Sequence, residues 1–170
     1  GSYFIKGVMT QHNVFDYLPK EIYEESHPEF YSISGLELCH NARGVEGSRD
    51  LMIEEIAKKM VSLIKADPNG KCLSFTHNDY NDYCSCTFCN AEKEQYGTNA
   101  GSTVKFANDL KVKLDSLCEA EGVRKVPIAF FAYQRTEKAP VKYVNGEPKP
   151  IDDSVKCIPG VWAYYAPVYA

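Results

Sequence analysis

The chain has 170 residues, which is the usual length of one domain. Hydrophobic residues make up 44% and charged residues 25%, a composition that excludes intrinsic disorder. The formal net charge of −4 argues against a general nucleic-acid binder, which carries a basic surface. No apolar run approaches the roughly 20 residues that cross a bilayer, so we expect no membrane span. Gly1 and Ser2 resemble an expression-tag scar, and we expect residues 3–170 to form one domain.

The predicted elements alternate between short apolar strands and amphipathic helices. In chain order they are strand 3–9, helix 16–25, strand 36–40, helix 48–65, strand 72–77, helix 102–121, strand 126–133, a Pro-rich loop over 136–154 with a tight turn at Asn145-Gly146, and strand 155–165. This alternation is typical of an α/β fold with a mainly parallel sheet of about five βα units. Right-handed crossovers then gather the loops that follow the strands at one edge.

The residues just after the predicted strands are polar, aromatic and titratable, unlike the strands that lead to them. They include His12, His40, His77, Asn78, Asp79, Tyr133 and Tyr164. In open α/β sheets and in α/β barrels, this edge is where ligands bind and reactions take place. We therefore expect the functional site there.

Three of the seven cysteines lie within six residues, in a C-x-C-x2-C motif formed by Cys84, Cys86 and Cys89. Closely spaced thiolates can bind one ion, and a tetrahedral zinc needs only a fourth ligand. Cys39 is the main candidate because it ends a predicted strand, and His40 and His77 are alternatives. Such a zinc would be structural, because four protein ligands leave no open coordination position.

Two other interpretations of the cysteines stay open at this point. Two of the cluster thiols could pair with each other or with Cys39 in a disulfide, or all could be reduced and simply buried. A small cysteine-based redox protein is also compatible with the motif, although C-x2-C is the usual redox spacing. The remaining cysteines, Cys72, Cys118 and Cys157, lie in apolar segments and are predicted to be inert core residues.

Asp79 is the acidic residue that we single out, because it directly follows the predicted buried strand 72–77. In an aromatic, partly dry pocket such a carboxyl group can hold its proton and act as a general acid. The alternative is that Asp79 only caps the following turn, a common role of Asn-Asp sequences. Hydrolysis of a glycosidic bond generally needs a second carboxylate. The candidates for it are Asp82, Glu37 and Glu137, or a residue outside this chain.

Tyrosines near the predicted strand ends suggest carbohydrate as the ligand. Sugar rings stack on aromatic faces while His, Asn and Asp side chains hydrogen-bond the sugar hydroxyls. The predicted sugar-binding residues are His12, His77, Asn78, Tyr80, Tyr133 and Tyr164. The alternative for any single tyrosine is packing between helices and sheet. Motifs for phosphate binding, serine hydrolysis and zinc proteolysis do not occur in the sequence.

The sequence resembles a bacterial family known as domain of unknown function 4838. The matching segments include His12 with Leu18-Pro19, residues 25–31, residues 35–39 and the stretch from Ser74 to Cys89. The resemblance implies a glycoside-hydrolase-like (β/α)8 barrel domain, related in outline to hexosaminidases and α-glucuronidases. It also implies a carbohydrate-active role and an exported or periplasmic location.

Five strands cannot close an eight-stranded barrel, which needs roughly 200 residues or more. We therefore expect a fragment of a longer glycoside-hydrolase-like protein or a shorter, open relative. An open parallel sheet has unpaired edges that favour self-association. The sequence thus leads to two main hypotheses, a glycoside hydrolase that uses Asp79 and a non-catalytic carbohydrate-binding module, and it predicts a homodimer formed through the sheet edges.

Overall fold

Five helices and five strands occur in the part of the chain that this computed structural model describes, residues 2–167. The helices are α1 (Val14–Tyr17), α2 (Lys20–Tyr23), α3 (Ser48–Ala66), α4 (Thr87–Tyr96) and α5 (Ala100–Ala120). The strands are β1 (Leu73–Phe75), β2 (Ile128–Ala132), β3 (Val141–Val144), β4 (Glu147–Pro150) and β5 (Val161–Tyr165). Short 3-10 turns cover Pro28–Phe30, Ala42–Gly44, Gln134–Thr136 and Asp153–Val155.

The central sheet has three parallel strands in the order β1–β2–β5. Phe75 lies opposite Phe130, and Phe131 lies opposite Tyr164. Because the strands are parallel, the residues that follow β1, β2 and β5 meet at one edge of the sheet, as predicted. The fold is therefore mixed α/β, as predicted, but the parallel sheet has three strands where about five were expected.

The hydrophobic core lies between the sheet and the two long helices, which pack against each other. Ile56, Met60 and Ile64 of α3 are buried, and so are Leu110 and Leu114 of α5. These residues are the apolar stripes that the sequence predicted, and β1 and β2 complete the core because all their residues are buried. None of the helices among the described residues is long and apolar enough to span a membrane.

The predicted strand over 3–9 is reduced to a single parallel bridge between Phe4 and Cys72. Ile5 still donates its backbone N–H to the Cys72 carbonyl group at 2.8 Å, but the next residue, Lys6, donates its N–H to a side chain. The N–H of Lys6 bonds to Asp67 Oδ2 at 3.0 Å. Gly7 then has a φ of +105°, which turns the chain away from the sheet.

The predicted strand over 36–40 is also wrong. This segment does not join the parallel sheet but lies antiparallel to residues 30–32 through one bridge between Tyr31 and Leu38. The Cys39 N–H bonds to the Phe30 carbonyl group at 2.7 Å, and the Ser32 N–H bonds to the Glu37 carbonyl group at 2.8 Å. The backbone N–H and carbonyl groups of this segment therefore form their hydrogen bonds within a short turn, and not with a neighbouring parallel strand.

The other differences are local. The predicted helix 16–25 is two short helices, because Pro19 is extended and the residue before a proline is disfavoured in a helix. Helix α4 was missed, and the predicted strand 155–165 starts only at Val161. The tight turn at Asn145-Gly146 is confirmed, with positive φ at both residues, but it joins β3 and β4 in a hairpin that the prediction treated as loop.

Candidate functional site

The first candidate site is a cluster of four buried thiols from Cys39, Cys84, Cys86 and Cys89, whose sulfur atoms all lie within 4.8 Å of one another. Cys39 Sγ lies 3.7 Å from Cys86 Sγ and 3.6 Å from Cys89 Sγ. A tetrahedral ion with Zn–S bonds of about 2.3 Å holds its sulfur ligands about 3.8 Å apart. The cluster can therefore hold a metal ion.

Backbone donors surround the thiol cluster. The N–H of Arg43 bonds to Cys39 Sγ at 3.2 Å, and the N–H of Cys89 bonds to Cys86 Sγ at 3.5 Å. The side-chain amide of Asn41 donates to Cys89 Sγ at 3.5 Å. Such outer contacts orient metal ligands and stabilise the negative charge of thiolates.

Hydrogen bonds within the cluster favour ionisation of one sulfur atom, that of Cys84. Cys86 is the N-cap residue of α4, and its sulfur atom accepts the hydrogen bond from the Cys89 N–H. Hydrogen bonds from the thiols of Cys39 and Cys89 lower the pKa of Cys84 to about 2. The same sharing of hydrogens raises the pKa of Cys39 to about 12, mainly through Cys84. The Cys84 thiolate is therefore stabilised by hydrogen bonds from the thiols of Cys39 and Cys89, and the pKa values of these two thiols are raised.

The two histidines offered as alternative ligands lie outside the thiol cluster. His40 is buried, its Nδ1 lies 3.2 Å from the Tyr83 hydroxyl group, and its ring stacks on Phe106 at 4.6 Å. Burial lowers the pKa of His40 to about 4. His77 Nε2 instead lies 3.3 Å from both the Tyr133 carbonyl oxygen atom and the Thr136 hydroxyl oxygen atom, just after β2. Among these candidates the structure brings Cys39 to the motif.

All seven cysteines lie within the described residues, and all are free thiols. Cys72 and Cys118 are buried in the core, as predicted, and burial raises the pKa of both. Cys157 is exposed, so its prediction as a core residue is wrong. It lies before β5, in a segment predicted to be strand that forms a turn.

The second candidate site lies at the ends of β1 and β2 and is centred on Asp79. The Tyr133 hydroxyl group donates to Asp79 Oδ1 at 2.7 Å, and Gln134 Nε2 lies 3.4 Å from the same oxygen atom. The hydrogen bond to Asp79 raises the pKa of Tyr133. Asp79 is exposed, so the partly dry pocket that we predicted around it is wrong. Its carboxylate is nevertheless held in place by two neighbours.

Aromatic rings line the same edge of the sheet. His77 stacks on Tyr133 with ring centroids 5.7 Å apart, and Phe131 lies 5.4 Å from His12 and 5.3 Å from Tyr164. The His12 Nδ1 atom lies 2.9 Å from the His77 carbonyl oxygen atom. Burial lowers the pKa of His77. The structure therefore brings together four of the six residues predicted to bind sugar.

The other two predicted sugar-binding residues are arranged differently. Tyr80 is exposed on the loop after β1, and Asn78 is buried. The side-chain amide of Asn78 donates to the Leu36 carbonyl group at 2.8 Å, so it anchors the loop. Asp82, the predicted partner of Asp79, accepts hydrogen bonds from the Ser34 hydroxyl group and, at 2.9 Å, from the Tyr83 N–H.

Glu37 is the most unusual of the remaining acidic residues. Its side chain is buried, its Oε1 has no hydrogen-bond partner among the described residues, and the N–H of Asn78 bonds to its carboxyl group. Burial, with the charge of Asp82, raises the pKa of Glu37 to about 9. Glu137 lies near the end of β2 and accepts from the Tyr165 hydroxyl group at 3.1 Å.

Backbone strain is concentrated at these two sites. Among the described residues, five that are not glycine have a positive φ, and Asn145 belongs to the hairpin turn. Ala42 and Arg43 lie in the turn after Cys39. His12 and Gln134 lie in the second candidate site, at the ends of β1 and β2, which we call the strand-end site. Such conformations cost about 1–3 kcal/mol each and are typical of functional sites.

The sequence places Gln134 just after a predicted strand, at the expected functional edge, but gives it no role in the site. The same holds for Gln11, whose Nε2 donates to the Tyr164 hydroxyl group at 3.2 Å. The contacts of Gln11 with Tyr164 and of Gln134 with Asp79 join residues distant in the sequence, so the sequence does not indicate these partners.

Comparison with known proteins agrees with the resemblance seen in the sequence. No curated protein and no solved structure matches the chain. Residues 2–149 match the family described as Domain of unknown function (DUF4838). This match covers most of the chain, including the thiol cluster and every residue of the second site except Tyr164, and the protein therefore belongs to that family.

Proposed function

We propose that this domain binds carbohydrate at the ends of its parallel strands and that a structural zinc ion fixes the neighbouring loop. The observation that supports carbohydrate binding is the convergence of aromatic rings and hydrogen-bonding side chains at one sheet edge. Tyr133, His77 and Tyr164 offer ring faces, and Asp79 offers a fixed carboxylate. Sugar sites combine apolar ring faces with a few convergent polar groups in this way.

The proposed zinc ion would be held by Cys39, Cys84, Cys86 and Cys89. Their sulfur separations and their backbone N–H donors fit a tetrahedral thiolate site. Zinc supplies cross-linking there, because a site with four protein ligands has no open position for substrate. It would join the turn after Cys39 to the segment between β1 and α4, which carries Asp79 at its start.

The experiment that tests both parts uses the protein purified without chelators. Elemental analysis is expected to find about one zinc per chain, and a glycan array is expected to find carbohydrate ligands, with calorimetry to measure their affinity. A protein with no metal that undergoes a reversible thiol–disulfide change would instead favour the redox alternative. Absence of binding to any glycan would contradict the carbohydrate proposal.

Glycoside hydrolysis is the second candidate function, because Asp79 is both fixed by Tyr133 and exposed to a ligand. In this proposal Asp79 is the general acid, and Asp82, Glu37 or Glu137 is the second carboxylate, unless that group lies outside this chain. The test is product analysis with each glycan that binds. Asp79→Asn should then abolish turnover and leave the melting temperature unchanged, whereas turnover at the wild-type rate would contradict the assignment.

The family resemblance alone supports an exported location, which we include in the proposal. Fractionation of cells that express the natural gene, with detection of the protein by antibody, tests it. Recovery with the cytoplasmic fraction only would contradict export.

A further inference from the structure

Most hydrogen-bond donors at the strand-end site already donate to acceptors within the protein. A carbonyl oxygen atom can only accept, so His12 Nδ1 carries a hydrogen atom, which it donates to the His77 carbonyl group. The Tyr133 hydroxyl group donates to Asp79. Gln134 Nε2 must face Asp79 for the same reason, because a carboxylate can only accept, and it also lies 3.2 Å from the Tyr133 hydroxyl oxygen atom.

The atoms of these side chains that remain available to a ligand are therefore hydrogen-bond acceptors. In a neutral His12 ring the hydrogen on Nδ1 leaves a lone pair on Nε2. The Gln134 Oε1 atom is buried without a partner among residues 2–167, although the side chain as a whole is only half-buried. The carboxylate of Asp79 is exposed. The three residues lie around one side chain, that of Tyr133: the His12 ring centroid is 6.2 Å from its ring centroid, and Asp79 Oδ1 and Gln134 Nε2 lie 2.7 Å and 3.2 Å from its hydroxyl oxygen atom.

The backbone of two of these residues lies in the left-handed region. His12 has a φ of +55° and Gln134 a φ of +50°. The turn at Gln134 is closed by Thr136, whose hydroxyl group accepts from the Tyr133 N–H at 3.2 Å and donates to the Phe131 carbonyl group at 2.8 Å. Strain that the surrounding contacts maintain in this way is a sign of preorganisation.

We infer that the strand-end site recognises an uncharged sugar through its hydroxyl groups, which donate to His12, Asp79 and Gln134, and that it rejects sugars bearing carboxylate, sulfate or phosphate groups. This inference rests on the proposed function and adds the class of carbohydrate. A ligand hydroxyl group satisfies the unpartnered Gln134 oxygen atom, whereas an anionic group would face the Asp79 carboxylate and two further acceptors. Like charges and facing lone pairs disfavour such a ligand.

Arg135 is the cationic side chain closest in sequence to these acceptors, and it is exposed. Its Nε donates to Asn81 Oδ1 at 3.2 Å, so it is attached to the loop after β1. The Tyr164 hydroxyl group, which accepts from Gln11, can supply one uncharged donor. Arg135 therefore offers a control position at which loss of a positive charge should not affect an uncharged ligand.

The experiment is a glycan array that contains uncharged, anionic and amino sugars, followed by calorimetry with matched pairs of oligosaccharides. A suitable pair is an α-1,4-linked oligogalacturonate and the same oligosaccharide after reduction of its carboxyl groups. Uncharged glycans should bind at least about tenfold more tightly than their anionic counterparts. Gln134→Met and Asp79→Asn should each weaken binding of the uncharged glycan about tenfold, the effect of losing one hydrogen bond.

Two further readouts separate recognition from folding. Arg135→Gln should change the affinity less than about twofold, and all three variants should melt close to the wild type. Asp79→Asn should also reduce the preference against anionic glycans, a change that a merely structural role would not produce. Preferential binding of anionic or amino sugars, or uncharged binding that Gln134→Met leaves unchanged, would overturn the inference alone. Failure of every glycan to bind would overturn the proposed function together with the inference.

Discussion

At the scale of single residues, Cys39 is the position that completes the thiol cluster. Cys39→Ser should reduce bound zinc from about one ion per chain to a small fraction of that, because one of four ligands is lost. The melting temperature should fall by about 6–12 °C, which corresponds to about 3 kcal/mol in a domain of this size. Elemental analysis and thermal unfolding measure both effects. The exposed Cys157 provides the control, and Cys157→Ser should leave zinc content and stability unchanged.

Glu37 has a different role, because its buried carboxyl group accepts the backbone N–H of Asn78. Burial raises its pKa to about 9, so the group is protonated at neutral pH and resembles an amide. Glu37→Gln should therefore change the free energy of unfolding by less than about 1 kcal/mol, whereas Glu37→Ala should cost about 2–3 kcal/mol by leaving a buried donor unsatisfied. Urea unfolding at pH 7 compares the two, and equal losses in both variants would contradict this role.

His77 should contribute to the pH dependence of stability. Burial lowers its pKa below the usual 6.5, so the folded state prefers the neutral ring. As the pH falls below about 6.5, the unfolded chain binds a proton that the folded chain does not, and stability decreases until the folded pKa is reached. His77→Gln should lose less stability than the wild type between pH 7.5 and pH 5. Because the two proteins differ only at His77, the difference between their losses isolates this residue, and identical losses would contradict the prediction.

At the scale of elements, helix α5 carries the core through one face. Leu110 is fully buried between the helices and the sheet, whereas Val112 on the same helix is 62% exposed. Leu110→Ala should lower the free energy of unfolding by about 2–5 kcal/mol, because it removes buried methyl groups and leaves a cavity. Val112→Ala should change it by less than about 0.5 kcal/mol. Urea unfolding of both variants measures the difference, and similar values would mean that α5 does not pack as described.

The long helices and the short elements differ in how far the sequence predicts them. The apolar spacing of α3 and α5 is local, and both helices lie within two residues of their predicted bounds. Helix α4 lacks such a stripe, since only Cys89 and Tyr96 in it are buried, and its first turn lies within the cysteine motif. The segments near Phe4 and Leu38 have strand-like sequences, but their backbone partners are decided by contacts with distant residues.

At the scale of the whole molecule, the edge of the sheet at β5 favours association. Within the described residues β5 pairs with β2 on one side, and the outward residues of the strand include Trp162, which is 44% exposed. The strand contains no charged residue or proline, the features that commonly protect an edge. We therefore predict a dimer. Size-exclusion chromatography with light scattering should detect it at high concentration, and Trp162→Lys should shift it toward monomer. A wild-type protein that stays monomeric at high concentration would contradict the prediction.

The sequence by itself determined the α/β class, the two long helices, the buried strand before Asp79 and the cysteine motif, because each of these rests on local periodicity or spacing. Only the tertiary structure decided which residue joins the cysteine motif and which residues surround Asp79. Cys39 reaches the cluster from an antiparallel turn, not from the parallel strand that was expected to bring it there. Gln134 meets Asp79 across 55 positions of sequence. Such contacts depend on how the backbone hydrogen bonds of distant segments are satisfied, and the sequence does not specify that pairing locally.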